Sequence, residues 1–158
     1  QELKGAIQAA YANGTITDAE MDSVVNGFVN KVVLPTYKDL KEKNTALCAA
    51  VRDFYNNPSD ATFETACDAW LVARTPWEQS EAFLFGPVDI LGLDPNMDSW
   101  PLDQVAIVNI LESGNFDDLN WEDGDTEEEI TASQEVRGFH TLEFLLFKDG
   151  NPRTVAAQ

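Results

Sequence analysis

The sequence predicts an all-α protein: an antiparallel four-helix bundle with kinked long helices and an irregular loop at about residues 86–100. Apolar residues recur at helical spacing in several long stretches, and Thr-based capping boxes precede two of them. Few β-branched runs alternate as a half-buried strand would. Four helical stretches joined by turn signals are typical of an antiparallel bundle. We divide the chain into an N-terminal helix and linker at 1–16 and the bundle at 17–158.

The first long helix is predicted to begin at Thr17, because the Thr17 hydroxyl and the Glu20 carboxylate can each cap a backbone amide of the first turn. Apolar residues then recur at helical spacing as far as Phe54. Pro35 predicts a kink or a restart, since its ring removes an amide donor and crowds the preceding turn.

The second long helix is predicted to begin at Ser59 or Asp60, after an Asn- and Pro-containing turn signal, and to end at Gly86. Pro76 lies within it and predicts another kink or break.

Two more helices complete the predicted bundle. The third runs from about Pro101 to Ser113 and is ended by a glycine. The fourth begins with a capping box at Thr126 and continues through the chain's only histidine to Asp149-Gly150.

The two cysteines flank the turn between the first two long helices. Cys48 lies ten residues before Pro58 and Cys67 nine residues after it. In an antiparallel helical pair both would lie about 14 Å from the turn, at about 1.5 Å per residue. This placement predicts a cross-helix disulfide, and with it an oxidising compartment, with two buried free thiols as the alternative.

The charge balance excludes several classes of partner. The chain has 28 acidic and 10 basic residues and a formal net charge of −18. Nucleic-acid binding needs clustered Lys and Arg, and an anionic membrane surface would repel this chain. No apolar run approaches the roughly 20 residues of a transmembrane helix. Cations are the partners that such a surface favours, although solubility alone explains most of the carboxylates.

The single histidine lies in a Gly-x-His-x-x-Glu sequence formed by Gly138, His140 and Glu143. Three residues along a helix return the chain to nearly the same face, so the imidazole and the carboxylate can converge on one metal ion. A glycine inside a helix lowers its stability relative to alanine. Its presence at Gly138 therefore indicates that close packing beside the histidine leaves no room for a side chain. The plainer interpretation is a lone helical histidine of the core or the surface.

A second group lies on the second long helix, where Arg74, Glu78 and Glu81 share one face. Trp77 lies close to that face and indicates partial burial. In one interpretation Arg74 pairs with Glu78 while Glu81 faces water. In the other, both carboxylates join the histidine motif around a bundle cavity, since buried carboxylate pairs repel unless a cation neutralises them.

Asp98 is the third candidate. Either Asp98 or Ser99 caps the third helix, or Asp98 is a further oxygen ligand. One imidazole with several carboxylates is a hard ligand set, which favours iron or manganese over a thiolate-type zinc site. The acidic loop before the fourth helix matches a calcium loop in part, but its Gly124 is displaced by one position. The sequence therefore predicts a metal site, with iron ahead of zinc and calcium.

Three linked motifs, at 77–87, at 97–101 and at the Gly-x-His-x-x-Glu sequence, closely resemble the imelysin family in order and spacing. The resemblance covers roughly residues 30–150. It implies an all-helical protein of the cell envelope, periplasmic or a surface-anchored lipoprotein, associated with iron acquisition and classed historically as a metallopeptidase. The family's motif residues fall on Gly138, His140 and Glu143, its acidic pair on Glu78 and Glu81, and its Asp-x-Trp stretch on Asp98 and Trp100.

The resemblance also implies partners. Family members usually have two helical bundles, whereas this chain continues only about fifteen residues beyond Glu143. We therefore expect a second helical bundle of the full-length protein as a partner, together with a metal ion or an iron-bearing ligand and envelope iron-transport components.

Three function classes follow. The first is a metal-binding protein for iron uptake. The second is a metallopeptidase, which is chemically awkward because a zincin needs three protein ligands and this chain has one His and neither HExxH nor HxxEH. The third is a non-catalytic ligand-binding or adhesion module whose acidic cleft recognises a cationic ligand.

Overall fold

A computed structural model describes residues 2–155, and most of these residues lie in helices. The all-α class is confirmed. The helices are α1 Glu2–Ala12, α2 Asp18–Phe28, α3 Leu34–Asn56, α4 Asp60–Ser80, α5 Pro87–Ile90, α6 Leu93–Asp98, α7 Gln104–Ser113, α8 Glu127–Gln134 and α9 Phe139–Leu146. A π-helical turn lies at Val29–Val33, 3-10 turns lie at Glu81–Phe83 and Asp117–Leu119, and strands β1 Phe147–Lys148 and β2 Asn151–Pro152 form a small hairpin.

Two long helices, α3 and α4, pack antiparallel across the turn at 57–59 and contain most of the core. Ser59 caps α4, its hydroxyl accepting a hydrogen bond from the amide of Thr62 at 3.2 Å. The remaining helices are short, so the arrangement of four long antiparallel helices stays a prediction in its detail. The main core contains Leu40, Leu47, Phe63, Trp70, Trp77, Phe139 and Leu146.

Neither proline of the long helices ends its helix. The capping box at Thr17 and Glu20 is present, and α2 leads through the π-helical turn straight into α3, whose first turn holds Pro35. A π turn adds one residue to a helical turn and so widens the helix. Here the wider turn lies directly before Pro35, whose ring occupies space and whose nitrogen has no hydrogen to donate. Pro76 is buried inside α4, which continues to Ser80, so the predicted break there is wrong.

The predicted fourth helix is two helices, α8 and α9. The Thr126 capping box begins α8 as predicted, but the chain leaves the helix before Gly138. Gly138 has a φ of 97°, and a Cβ atom there would overlap the backbone carbonyl of Met97. Gly138 is therefore not inside a helix but at the N-cap of α9. The close packing inferred from it is present.

The helix end predicted at Asp149-Gly150 is instead a hairpin turn. Helix α9 ends at Leu146, and the next two residues pair antiparallel with Asn151–Pro152. Asp149 and Gly150 have φ values of 53° and 76°, the left-handed pair that a tight two-residue hairpin requires.

Helix α7 begins later than predicted. Its N-cap is Asp103, whose carboxylate accepts from the amide of Ala106 at 2.9 Å. Neither Asp98 nor Ser99 caps this helix. Its end at Ser113, with Gly114 at a positive φ of 67°, agrees with the prediction. The segment at 86–100 is less irregular than expected because it contains α5 and α6.

The two cysteines are free thiols, so the predicted disulfide is wrong. Cys67 is buried, with its Sγ 3.9 Å from the carbonyl oxygen of Leu146, whereas Cys48 is exposed. The Cys67 side chain belongs to the main core, whereas that of Cys48 is exposed to solvent. Within residues 2–155, no helix combines the length and the hydropathy that crossing a bilayer requires.

Candidate functional site

Asp98, at the end of α6, is a buried carboxylate at the junction of three helices. Its side chain is 4% exposed. One oxygen, Oδ2, accepts from Trp77 Nε1 at 2.7 Å and from the guanidinium of Arg74. The other, Oδ1, accepts from the backbone amide of His140 at 3.0 Å. A buried carboxylate is tolerated only with such donors, and here they join α6 to α4 and α9.

His140 is positioned through Asp98. Its Nδ1 lies 2.5 Å from Oδ1 of Asp98, a contact at ion-pair distance that lacks the alignment of a hydrogen bond. The same carboxylate oxygen receives the His140 backbone amide, so both the ring and its backbone are held. Nε2 is the ring nitrogen left for a ligand, an arrangement common where a carboxylate orients a ligating imidazole.

Arg74 forms ion pairs with Asp98 and Glu78. Its Nε lies 2.5 Å from Oε1 of Glu78 and its side chain is 17% exposed. Glu78 itself is about half exposed, and Glu81 is exposed at the following 3-10 turn. The interpretation in which Arg74 pairs with Glu78 while Glu81 faces water is the one that the structure supports.

Aromatic rings fix the start of α9 against α4. Phe139 is stacked on Trp77 with ring centroids 6.0 Å apart, and Trp70 Nε1 donates to the carbonyl of Phe139 at 3.1 Å. The guanidinium carbon of Arg74 lies 5.6 Å from the Phe139 ring centroid. These contacts place the residue that follows Phe139, His140, at the edge of the core rather than inside it.

An open cavity of about 700 Å³ lies beside His140, and we call it the His140 cavity. Trp100 forms one edge, with its ring centroid 4.9 Å from that of His140 and its side chain largely exposed. The cavity lies between α4, α9 and the hairpin. Its lining includes Cys67, Asp68, Trp70, Leu71, Trp100, His140, Glu143, Phe144, Phe147 and Asp149.

The five predicted metal ligands do not come together. His140 and Glu143 line the cavity, but Glu78 and Glu81 do not, and Asp98 is fully occupied by donors of the protein. In the part of the chain that the structure describes, no group of three or more His, Cys, Asp or Glu residues is placed to hold a metal ion. The described residues therefore do not make a complete metal centre by themselves.

The family profile described as Imelysin, a peptidase family, matches residues 33–157. The chain belongs to the imelysin family. It is 35% identical to Iron-regulated protein A of Synechococcus elongatus over 155 residues, which cover 94% of this chain and 35% of that protein.

Two crystal structures resemble this imelysin-family chain in fold. An imelysin peptidase from Bacteroides ovatus matches with a TM-score of 0.90 at 59% identity, covering 98% of this chain and 45% of that one. A protein assigned as an iron-regulated protein A precursor from Parabacteroides distasonis matches with a TM-score of 0.79 at 48% identity, covering 87% of this chain and 37% of that one. The chain thus spans less than half the length of these relatives.

Sequence reasoning missed two carboxylates of the cavity in this imelysin-family chain, Asp68 and Asp149. Asp68 has no signal of its own on α4. Asp149-Gly150 is a hairpin-turn sequence, and recognising it would have placed Asp149 on a turn beside α9.

Burial changes the titration of several groups around the imelysin motifs. Burial, followed by the charge of Asp98, raises the pKa of Asp94. Burial also raises the pKa of Tyr37, on α3, and of the Cys67 thiol at the cavity wall. Cys67 is therefore a poor nucleophile, since the thiolate is the reactive form.

Arg137 attaches the acidic segment before α8 to the imelysin motif region. Its guanidinium donates to the carbonyl of Leu119 at 3.0 Å and to the side chain of Asn96, and it lies 3.9 Å from the ring centroid of Trp121. Burial lowers the pKa of Arg137. Arg137 therefore links α6 to the turn that precedes Gly138.

Proposed function

We propose that this imelysin-family chain binds a hard metal ion, iron before zinc or calcium, in the His140 cavity, as part of a cell-envelope protein linked to iron acquisition. One observation carries the proposal: His140, held on its Nδ1 side by Asp98, shares an open cavity with Glu143 one helical turn away. Two of the relatives bear names that refer to regulation by iron. A neutral imidazole with a carboxylate is a suitable pair for such an ion.

His140 Nε2 and the Glu143 carboxylate are the groups of this chain that would hold the ion. Glu78 and Glu81 lie outside the cavity, and Asp98 would act by orienting His140 rather than by ligation. Two protein ligands are fewer than iron takes, so the remaining ligands would be water, oxygens of an iron-bearing ligand, or side chains from elsewhere in the protein.

A second helical bundle is the proposed source of those side chains, because the relatives are more than twice as long as this chain. The proposed location is the cell envelope, either in the periplasm or on a surface-anchored lipoprotein, where envelope iron-transport components would be the protein partners. The metal content of the full-length protein, purified from its own cells, tests whether the complete protein holds the ion.

The ligand set is tested by titrating the protein with ferrous and ferric ions in a calorimeter. We expect His140→Ala and Glu143→Gln each to weaken binding by about tenfold or more, as loss of a metal ligand or its support does. Glu81→Gln is the matched control, since it removes the same charge outside the cavity. Tight binding that survives both cavity substitutions would contradict the proposed site.

A peptidase is the second candidate, because the family profile and the Bacteroides ovatus protein carry that name. The described residues offer one imidazole and no zincin motif, so a hydrolytic site would need ligands from outside this chain. Cleavage of an unfolded substrate by the full-length protein, abolished by a chelator and by Glu143→Gln, would establish it. Cleavage that persists in the Glu143 variant would assign the activity elsewhere.

A further inference from the structure

The His140 cavity is lined by carboxylates that have no positive partner. Asp68 on α4, Glu143 on α9 and Asp149 on the hairpin turn are all exposed, and none forms an ion pair with another described residue. Among the described residues that line the cavity, none is Lys or Arg. The cavity therefore attracts positive charge and repels negative charge.

The basic side chains closest to the lining residues, Arg74, Lys148 and Arg153, do not line the cavity themselves. Arg74 is paired with both Asp98 and Glu78. Arg153 lies against the ring of Phe144 and donates to its carbonyl oxygen at 3.0 Å. Neither arginine lines the cavity, so the charged side chains in its described wall are all carboxylates.

Aromatic side chains form the walls between these carboxylates. Trp70, Phe144 and Phe147 line the cavity, and Trp100 stands at its edge with 72% of its surface exposed. An exposed indole is the best aromatic surface for a cation, because the face of its ring carries negative charge density.

The size of the cavity does not match a bare ion. A water molecule occupies about 30 Å³, whereas organic ligands occupy pockets of about 300–1,000 Å³. At about 700 Å³ the His140 cavity has the dimensions of a site for an organic molecule.

We infer that the His140 cavity selects a cationic organic ligand with an apolar or aromatic body, either a metal-free organic cation or a positively charged metal chelate. The carboxylates supply the charge selection, and Trp100 and the other rings supply the apolar contact. The inference rests on the proposed function in that it assigns a ligand class to the same cavity. It excludes anionic chelates, which the carboxylates repel.

Benzyltrimethylammonium tests the selection, with benzenesulfonate as an anion of similar size. We expect the cation to shift the indole N–H resonance of Trp100 in NMR spectra of the chain and to bind at least about tenfold more tightly than the anion. Its affinity should fall as salt is added, because exposed charges are screened. The Trp100→Phe variant identifies the resonance. Equal or tighter binding of the anion would overturn the inference.

Charge removal tests which residues select the cation. The double variant Asp68→Asn, Asp149→Asn should bind benzyltrimethylammonium about five- to tenfold more weakly, since each exposed charge contributes modestly. Asp89→Asn is the matched control, an exposed aspartate outside the cavity. Trp100→Ala should weaken binding and Trp100→Phe should restore part of it. An unchanged affinity in the double variant would overturn the inference.

A third experiment distinguishes a metal-free organic cation from a cationic metal chelate as the ligand. It also separates this inference from the proposed binding of a metal ion. Tris-bipyridine iron(II) is a cationic chelate and ferric citrate an anionic one. If either cation binds more tightly than ferric citrate, the inference is supported, and the cation that binds more tightly of the two identifies the source of the ligand. If neither cation binds, or if ferric citrate binds more tightly than both, the inference is overturned. Free iron and benzyltrimethylammonium are titrated separately. The weakening of iron binding by about tenfold or more expected for His140→Ala tests the proposed function, whereas the preference for the organic cation over the anion tests the inference, so either proposal can fail without the other.

Discussion

The role of Asp98 inferred from the sequence differs from the role that its neighbours give it in the structure. As a motif residue it has the chemistry of a metal ligand or of a helix cap. In the structure it accepts from Trp77, from Arg74 and from the His140 amide, so its lone pairs are directed to the protein. Its effect on any bound ligand passes through the orientation of His140.

Asp98→Asn should therefore destabilise the fold. It replaces a buried charge facing Arg74 and leaves that guanidinium with only the more exposed Glu78. Removing one partner of a buried charge pair costs about 3–5 kcal/mol in the free energy of unfolding. Urea denaturation measures this loss. Glu78→Gln is the control and should cost less than about 1 kcal/mol, because that carboxylate is half exposed. Equal losses in the two variants would contradict the role assigned to Asp98.

The two thiols should differ in reactivity. Cys48 is exposed, whereas Cys67 is 1% exposed and burial raises its pKa. We expect a disulfide reagent to modify Cys48 in the folded protein at pH 8 and to reach Cys67 only on unfolding. Thiol titration with and without urea checks this, with Cys48→Ala as the control that removes the fast phase. Rapid modification of both thiols in the folded protein, or of neither, would contradict the structure.

At the scale of elements, Gly138 determines where the histidine helix begins. A continuous helix from Thr126 would carry His140 on a face set by α8. The break at 135–138 gives α9 its own direction, and the backbone of Gly138 packs against Met97. The glycine thus brings the ends of α6 and α9 together, so that Asp98 reaches His140.

Gly138→Ala should cost about 2 kcal/mol or more in the free energy of unfolding, because a positive φ costs a residue with a Cβ about 1–2 kcal/mol and the new Cβ overlaps the Met97 carbonyl. Gly27→Ala is the matched control: this glycine lies inside α2 with open space around it, and the exchange should stabilise by about 0.5–1 kcal/mol. Thermal and urea unfolding compare the two variants. An unchanged free energy of unfolding in Gly138→Ala would show that the turn accommodates the new methyl group without strain.

At the scale of the whole molecule, the excess of carboxylates makes stability depend on pH in opposing ways. The capping glutamates Glu20 and Glu129 have pKa values lowered first by hydrogen bonds from the backbone amides of Thr17 and Thr126. Their contribution is present at neutral pH and is lost as the pH falls through their folded-state pKa values. Asp94 acts the other way, because burial raises its pKa. The folded state holds its proton more tightly than the unfolded state does, so stability is gained as the pH falls through the raised pKa of Asp94.

Asp94→Asn should accordingly stabilise the protein at pH 7, where the wild-type carboxylate is charged and partly desolvated. The difference between variant and wild type should shrink as the pH falls towards the raised pKa of Asp94, because a growing fraction of the wild-type carboxyl group is then protonated. Urea unfolding at pH 7 and pH 4.5 measures the difference, with the exposed Asp89→Asn as the control. A stabilisation that is the same at both pH values would assign the effect to something other than titration.

Much of the fold could be predicted from local patterns. The capping boxes at Thr17 and Thr126 and the end of α7 at Gly114 are where the sequence places them, since each depends on residues within one turn. The break before Gly138 and the passage of α4 through Pro76 could not be predicted this way. Both depend on what packs against the backbone, which for Gly138 is Met97, some forty residues earlier.

The sequence by itself determined the all-α class, the family resemblance, and the pairing of His140 with Glu143 on one helical face, because helical spacing depends only on the residues of that helix. The tertiary structure alone decided that Glu81 faces water, that Cys48 and Cys67 remain apart, that Asp98 orients His140, and that Asp68 and Asp149 share its cavity. The physical reason is the same in each case. Spacing gives the direction of a side chain relative to its own helix, whereas its partners depend on how the helices are rotated and packed against one another.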